Sequence, residues 1–380
     1  MSRQELPEPA RRAIDELRRV GPPEDLLRSV LDAAGRSPQQ RSWRGQWLRL
    51  ASVAAAAALV VLIAGVGLGP LGNVGTTPAP SASPTATRTP SLDDLPSAGR
   101  VEREIVVPDG AHPASALDRE VWLADPERGQ VLVVDTIGLE VTATIPIDPP
   151  GSGAPDLWPA VDAESGWVAG GSDRTLVRID RATMTVQDRF AVDAEAYRIA
   201  PAPDAVWLTD FSGGEVLKVD RETGMVLARV DFPDATGIAV AGDDVWVTSY
   251  SGRVARIDSV AATLVEIGLF APDATDLHVE DGDLWIAGIN GRRLERVDPA
   301  TGEVVASYGP AGSIAFLDGQ VWTSAEGGLI RLDPETLRPI GAVPLPGVGT
   351  DQLVATDAGL WAFGDTEAGT RLVVVRPEGE

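Results

Sequence analysis

Asp276 and His278 stand two residues apart, the spacing that places both side chains on one face of a β-strand. A carboxylate beside an imidazole is minimal equipment for moving a proton, and the chain has few other ways to assemble it. There are two histidines, His112 and His278, and no cysteine. Thiolate metal sites, disulfides and cysteine nucleophiles are excluded, and zinc or histidine-based acid–base chemistry has little material. The pair also belongs to a wider set defined by a recurring tryptophan. Nine residues ahead of its copies stand Pro113, Trp158, Arg198, Gly237, Asp276, Ser313 and Gln352; seven ahead stand Ser115, Ala160, Ala200, Ala239, His278, Ala315 and Val354. The second set is mostly small, as a crowded axis requires, and His278 departs from it. The first set is chemically diverse where the rest of the repeat is monotonous, which points to contact with a ligand. In that reading Trp158 stacks on the ligand, Arg198 meets an anionic group, and Asp276, His278 and Gln352 supply polar contacts. The loops just before add Asp109, Asp156, Asp234, Asp273 and Asp351. A cation-binding ring competes there with the ordinary turn-forming role of Pro-Asp. No residue is assigned as catalytic or metal-binding, and no cofactor is expected.

The repeat must position these residues. Its tryptophans are Trp122, Trp167, Trp207, Trp246, Trp285, Trp322 and Trp361, spaced by 45, 40, 39, 39, 37 and 39 residues. Asp135, Asp180, Asp220, Asp258, Asp298 and Asp333 follow the first six. Seven periods of about 40 residues, built of short strands and turns, predict an all-β, seven-bladed propeller of four-stranded blades. In the fourth period GIAVAG, DVWVTSY, RVARIDS and VEIGLFA read as the four strands, inner to outer. The Asp closing each third strand is the expected head of an Asx-turn, and the seven tryptophans are read as architecture. The last period stops after TRLVVVRP, one strand short, while VEREIVV at 101–107 precedes the first period without a partner. Pairing the two closes the ring and sets the domain boundary near Arg100.

The repeat form V-W-x-x-x…[RK]-[VI]-D-x-x-T-G-x-V resembles the YVTN/NHL-type and streptogramin-lyase-like seven-bladed propellers over residues 101–380. The resemblance implies a ligand site at the mouth of the central channel. For the lyases it also implies a magnesium-assisted elimination with a histidine base and nearby carboxylates, for which Asp276 and His278 are the candidate pair and His112 lies in another rim loop. A lyase is therefore the enzymatic alternative, and a passive protein-interaction scaffold the other.

The remainder of the chain reads as a membrane tether. Leu50 to Gly72 carries no charge, and ~20 apolar residues at ~1.5 Å rise span the ~30 Å of a bilayer core. Arg36, Arg41, Arg44 and Arg49 precede this stretch and no basic residue follows until Arg88, which places the N-terminus in the cytoplasm and the propeller outside it. Residues 73–100, rich in Pro, Ser, Thr and Ala, form a semi-extended stalk. Residues 1–49 contain two short amphipathic helices that need each other or a cytoplasmic protein partner. This layout loosely resembles membrane-bound bacterial anti-sigma regulators, without their His/Cys zinc motif. Residues 101–380 hold 20 Lys+Arg against 47 Asp+Glu, a balance that repels phosphate backbones and argues against nucleic acid. The expectation is a single-pass, extracytoplasmic propeller that binds a small-molecule, peptide or protein ligand without catalysis, sensor-like, with possible signalling through residues 1–49.

Overall fold

The computed structural model describes residues 91–148, 157–170, 174–270, 273–288, 293–350, 352–366 and 369–378. Among these residues no helix is long and apolar enough to cross a membrane. The span read at 50–72, the cytoplasmic helices and the stalk up to residue 90 lie outside the described residues.

Seven antiparallel sheets of four strands each make seven blades, and in the first six the chain runs through strands A, B, C and D in order. Blades 1 to 6 occupy 112–146, 157–191, 196–231, 235–269, 274–308 and 314–344. Strand A of blade 1 touches strand A of both blade 2 and blade 7, so the blades close into a ring with the A strands innermost. Blade 7 takes strands A to C from 352–377 and its outer strand from Gly99–Val106, with Arg100 opposite Arg376 and Val106 opposite Arg371. This is the terminal pairing expected from the orphan strand and the incomplete last period.

The repeat register is uniform. The residue seven before each tryptophan pairs directly across strands A and B with that tryptophan, from Ser115 with Trp122 to Val354 with Trp361. All seven indoles are buried, the most exposed being Trp246 at 5%. Their closeness to the neighbouring blade is visible at Gly166, where an added Cβ would come within 2.3 Å of the Trp122 ring. Only glycine lets blade 2 approach that far.

The basic residue of the [RK]-[VI]-D motif has a mechanical role. Arg178, Lys218, Arg296 and Arg331 pair across strands B and C with Trp167, Trp207, Trp285 and Trp322, and their cationic groups lie 5.6, 5.7, 5.5 and 6.0 Å from those rings. Each then reaches the following blade. Arg178 donates to Glu222, Lys218 to the Ser259 carbonyl, Arg296 to the Pro334 carbonyl and Arg331 to the Glu378 carbonyl. A cation held over an indole thus becomes a tie between blades. The Asp of the motif heads the expected turn. Asp220 Oδ1 accepts the Thr223 amide at 2.8 Å and its hydroxyl at 2.7 Å, and these bonds hold the carboxyl below its usual range.

Residues 91–98, read as the end of the stalk, are built into the propeller. Leu92 and Leu95 pack on the core of blade 6, and Ser97 forms a parallel bridge with Ala342. The Ala342 amide donates to the Pro96 carbonyl, and the Ala98 amide to the Ala342 carbonyl. The segment therefore runs along the outer strand of blade 6 before entering blade 7.

Candidate functional site

Antiparallel order puts the beginnings of the A strands and the B–C turns at one end of the propeller, and the A–B and C–D turns at the other. The tryptophan–cation ties lie toward the second end. Of the expected site residues, Trp158, Arg198, Asp276 and Gln352 lie toward the first end, and His278, opposite Trp285, lies deeper along its strand. The structure brings them together as two pairs and leaves Gln352 separate.

The first pair is Trp158 and Arg198. The Arg198 guanidinium lies 3.8 Å from the Trp158 ring centroid and 4.6 Å from that of Tyr197. Of its donors, Nη1 bonds the Tyr197 carbonyl at 3.1 Å, and no carboxylate among the described residues pairs with it. Trp158 is 6% exposed. The ring expected to stack on a ligand serves here as the floor on which the arginine lies.

These two residues belong to a longer row of rings. His112 meets Trp158 with centroids 5.4 Å apart, Trp158 meets Tyr197 at 5.2 Å, Tyr197 meets Phe211 at 6.1 Å, and Phe211 meets Tyr250 at 6.3 Å. His112, Trp158 and Tyr197 come from the A strands of blades 1, 2 and 3, and Phe211 and Tyr250 from the B–C turns of blades 3 and 4. All but Trp158 are partly exposed. Reading the repeat by A-strand offsets missed Tyr197, Phe211 and Tyr250. A signal existed: Phe211 and Tyr250 each follow a repeat tryptophan by four residues, in a chain with only 3 Tyr and 6 Phe.

The second pair is Asp276 and His278. His278 Nε2 lies 2.9 Å from Asp276 Oδ1, and the imidazole packs against Phe316 at 5.6 Å. Asp276 Oδ2 accepts the Ser313 hydroxyl and the Ile314 amide, both at 3.0 Å, so the carboxylate of blade 5 clasps strand A of blade 6. Ser313 passes the link on by accepting the Leu353 amide of blade 7 at 3.2 Å. Burial raises the Asp276 pKa, but the His278 charge and these hydrogen bonds outweigh it and bring the group to about 2. Burial likewise lowers the His278 pKa, and the Asp276 carboxylate outweighs it, so the net shift is upward.

Gly237, of the diverse set, and the hydroxyls of Thr248 and Ser115, outside it, have similar structural employment. Gly237 is glycine because a Cβ would meet Thr248 Oγ1 at 2.6 Å and Leu277 Cβ at 3.0 Å. Thr248 Oγ1 itself donates to the Ala274 carbonyl at 2.9 Å, tying blade 4 to blade 5, and Ser115 Oγ accepts the Val161 amide at 3.2 Å, tying blade 1 to blade 2. Part of the diversity therefore records different hydrogen-bond solutions to one problem, the joining of neighbouring A strands. Gln352 opens strand A of blade 7 with a buried Oε1 that accepts no hydrogen bond.

Asp234 and Asp273 adopt positive φ, 58° and 59°, as turn formers, and Asp109 accepts the Thr370 amide at 3.3 Å. Asp156 and Asp351 lie outside the described residues. Among the described residues no three His, Asp or Glu side chains gather as a metal would need.

No protein-family model matches this chain, and no curated protein matches it. Solved structures do. The β-propeller domain of Cps50 (Swd1) from Myceliophteria thermophila aligns with a TM-score of 0.61 at 12% identity, over 73% of this chain and 100% of that one. A chain of the mitotic checkpoint complex aligns with a TM-score of 0.61 at 12% identity, over 82% of this chain and 100% of that one. BamB from Moraxella catarrhalis aligns at 0.49 and 12% identity, over 69% and 84%, a likeness too low to argue from. At such identity the likeness is one of fold, and the fold is the seven-bladed β-propeller.

Proposed function

We propose that this chain is a membrane-anchored propeller of the YVTN/NHL-like kind that binds a protein partner outside the cytoplasm and has no catalytic role. The observation carrying this reading is the row of rings with Arg198 at the channel mouth of blades 1 to 4, a partly exposed aromatic surface around an arginine that no carboxylate among the described residues pairs. Aromatic residues and arginine are the types that anchor protein interfaces. The mitotic checkpoint complex, which contains a chain of like fold, is by its name a protein assembly. The anchor rests on the uncharged stretch 50–72 behind four arginines, which sets residues 1–49 in the cytoplasm, free to meet a second partner and carry a signal.

A lyase remains the second reading because His278 has a carboxylate beside it. That carboxylate is already engaged by three neighbours, two of them across a blade boundary, which favours a clasp over a base-orienting group.

Site-directed photocrosslinking in the membranes of the native host tests the binding reading. A benzophenone side chain at Phe211 is expected to capture a discrete protein, and the same group at Leu227, on the outer strand of blade 3, is not. Capture at Leu227 and none at Phe211 would move the interface to the flank of the blades.

A further inference from the structure

Among the described ring-stacked cations, Arg198 and Arg331 donate to no carboxylate; Arg331 lies over one ring and ties to the Glu378 carbonyl of the next blade, whereas Arg198 is held by two rings. Arg178, Arg221 and Arg296 lie over tryptophans and also donate to Glu222, Asp162 and Asp283. Lys218 likewise donates to Asp204. Arg198 lies over two rings and uses one N–H on the carbonyl of its sequence neighbour. A guanidinium has five donors in a fixed plane, and stacking both orients that plane and leaves its edge for a bidentate acceptor. In a domain with 47 Asp+Glu against 20 Lys+Arg, an arginine stacked on two rings with no carboxylate partner among the described residues is a site for an anion.

The rings beside it fix the kind of molecule that carries the anion. Their centroids follow one another at 5.2 to 6.3 Å. Same-face residues of an extended peptide repeat every ~6.5 Å, so successive side chains can meet successive rings. The interplanar angles, 63°, 52°, 44° and 89°, leave no adjacent pair parallel. A flat sugar face would find no continuous platform there, whereas peptide side chains turn about their own bonds to suit each ring. The domain's acidity limits the peptide to little charge beyond what Arg198 neutralises.

Resting on the protein-binding reading above, we infer that the row from His112 to Tyr250 takes up an extended peptide segment of the partner, bearing one carboxylate on Arg198 and uncharged apolar or aromatic residues on the neighbouring rings. Arg198 is then the specificity residue, and Tyr197, Phe211 and Tyr250 supply the contact area.

The test pans a random heptapeptide display library against the full-length protein in detergent micelles, in parallel with Arg198→Ala, Arg198→Lys and a Tyr197→Ala/Phe211→Ala double variant, all first shown to melt like the parent. The expected consensus on the parent holds one Asp or Glu, or a free C-terminal carboxylate, beside apolar residues. That acidic position should vanish on Arg198→Ala. The synthetic consensus peptide should bind the parent at least tenfold more tightly than either arginine variant, because lysine supplies charge without the stacked bidentate edge. Its Asn or Gln counterpart should lose as much on the parent and nothing further on Arg198→Ala. A consensus that needs Tyr197 and Phe211 but carries no acid would overturn the anionic specificity and leave channel-mouth binding standing. Peptides indifferent to all three variants would overturn both. No enrichment, or displacement of the peptide by oligogalacturonate in an Arg198-dependent way, would overturn the peptide assignment.

Discussion

Asp276 joins blade 5 to blade 6. Its carboxylate holds Ser313 and Ile314 of the next blade, contacts that join residues 37 and 38 positions apart and leave no mark in a single repeat. Replacing it should therefore destabilise the fold. Asp276→Ala is expected to cost ~1–3 kcal/mol in chemical denaturation, the usual range for hydrogen bonds to a charged group, whereas Arg198→Ala should leave stability within ~0.5 kcal/mol. The pH dependence follows from the two shifts. Asp276, lowered to about 2, contributes fully above its unfolded pKa of 3.8 and loses that contribution as pH falls through about 2. His278, raised, contributes fully below its unfolded 6.5 and loses its share as pH rises through the higher folded value. The stability difference between parent and Asp276→Ala should be largest between those unfolded values and shrink on both sides. A difference that is flat from pH 3 to pH 9 would show that the pair does not titrate as a unit.

At the scale of strands and blades, most of the account was readable from the repeat. Tryptophan spacing gave the number of blades, the parsed fourth period matches the strands at Ala235–Ala241, Asp244–Ser249, Arg253–Asp258 and Leu264–Leu269, and the orphan strand found its partner. Two elements escaped. The segment 91–98 lacks the repeat pattern, and Leu92 and Leu95 acquire a purpose only against blade 6. The row of rings is drawn from A strands and B–C turns of different blades, so no single offset gathers it. Both findings shape the test of ring closure. Removing Gly99–Val106 strips blade 7 of its outer strand and exposes the edge of its third, and should lower the melting temperature by more than ~5 °C. Removing 74–90, which stops short of the segment on blade 6, should change it by less than ~1 °C. Equal shifts would mean that the terminal strand contributes nothing to closure. Within a blade, Trp167→Ala should cost ~3–5 kcal/mol, the range for emptying a buried indole site, together with the support it gives Arg178 and Arg221.

For the whole molecule, the proposed topology rests on Arg36, Arg41, Arg44 and Arg49, which precede the uncharged stretch 50–72, with no basic residue beyond it until Arg88. A reporter fused after Glu380 should be active only outside the cytoplasm; cytoplasmic activity would refute the proposed topology. If the ringed half of the channel mouth is the binding surface, partner affinity depends on Arg198. Calorimetric titration of the partner captured through Phe211 into the full-length protein should show at least a tenfold loss, ~1.4 kcal/mol or more, for Arg198→Ala at an unchanged melting temperature. The control is Leu227→Ala on the outer strand, which should bind as the parent does. Equal affinity of the parent and Arg198→Ala, or a loss confined to Leu227→Ala, would contradict the account.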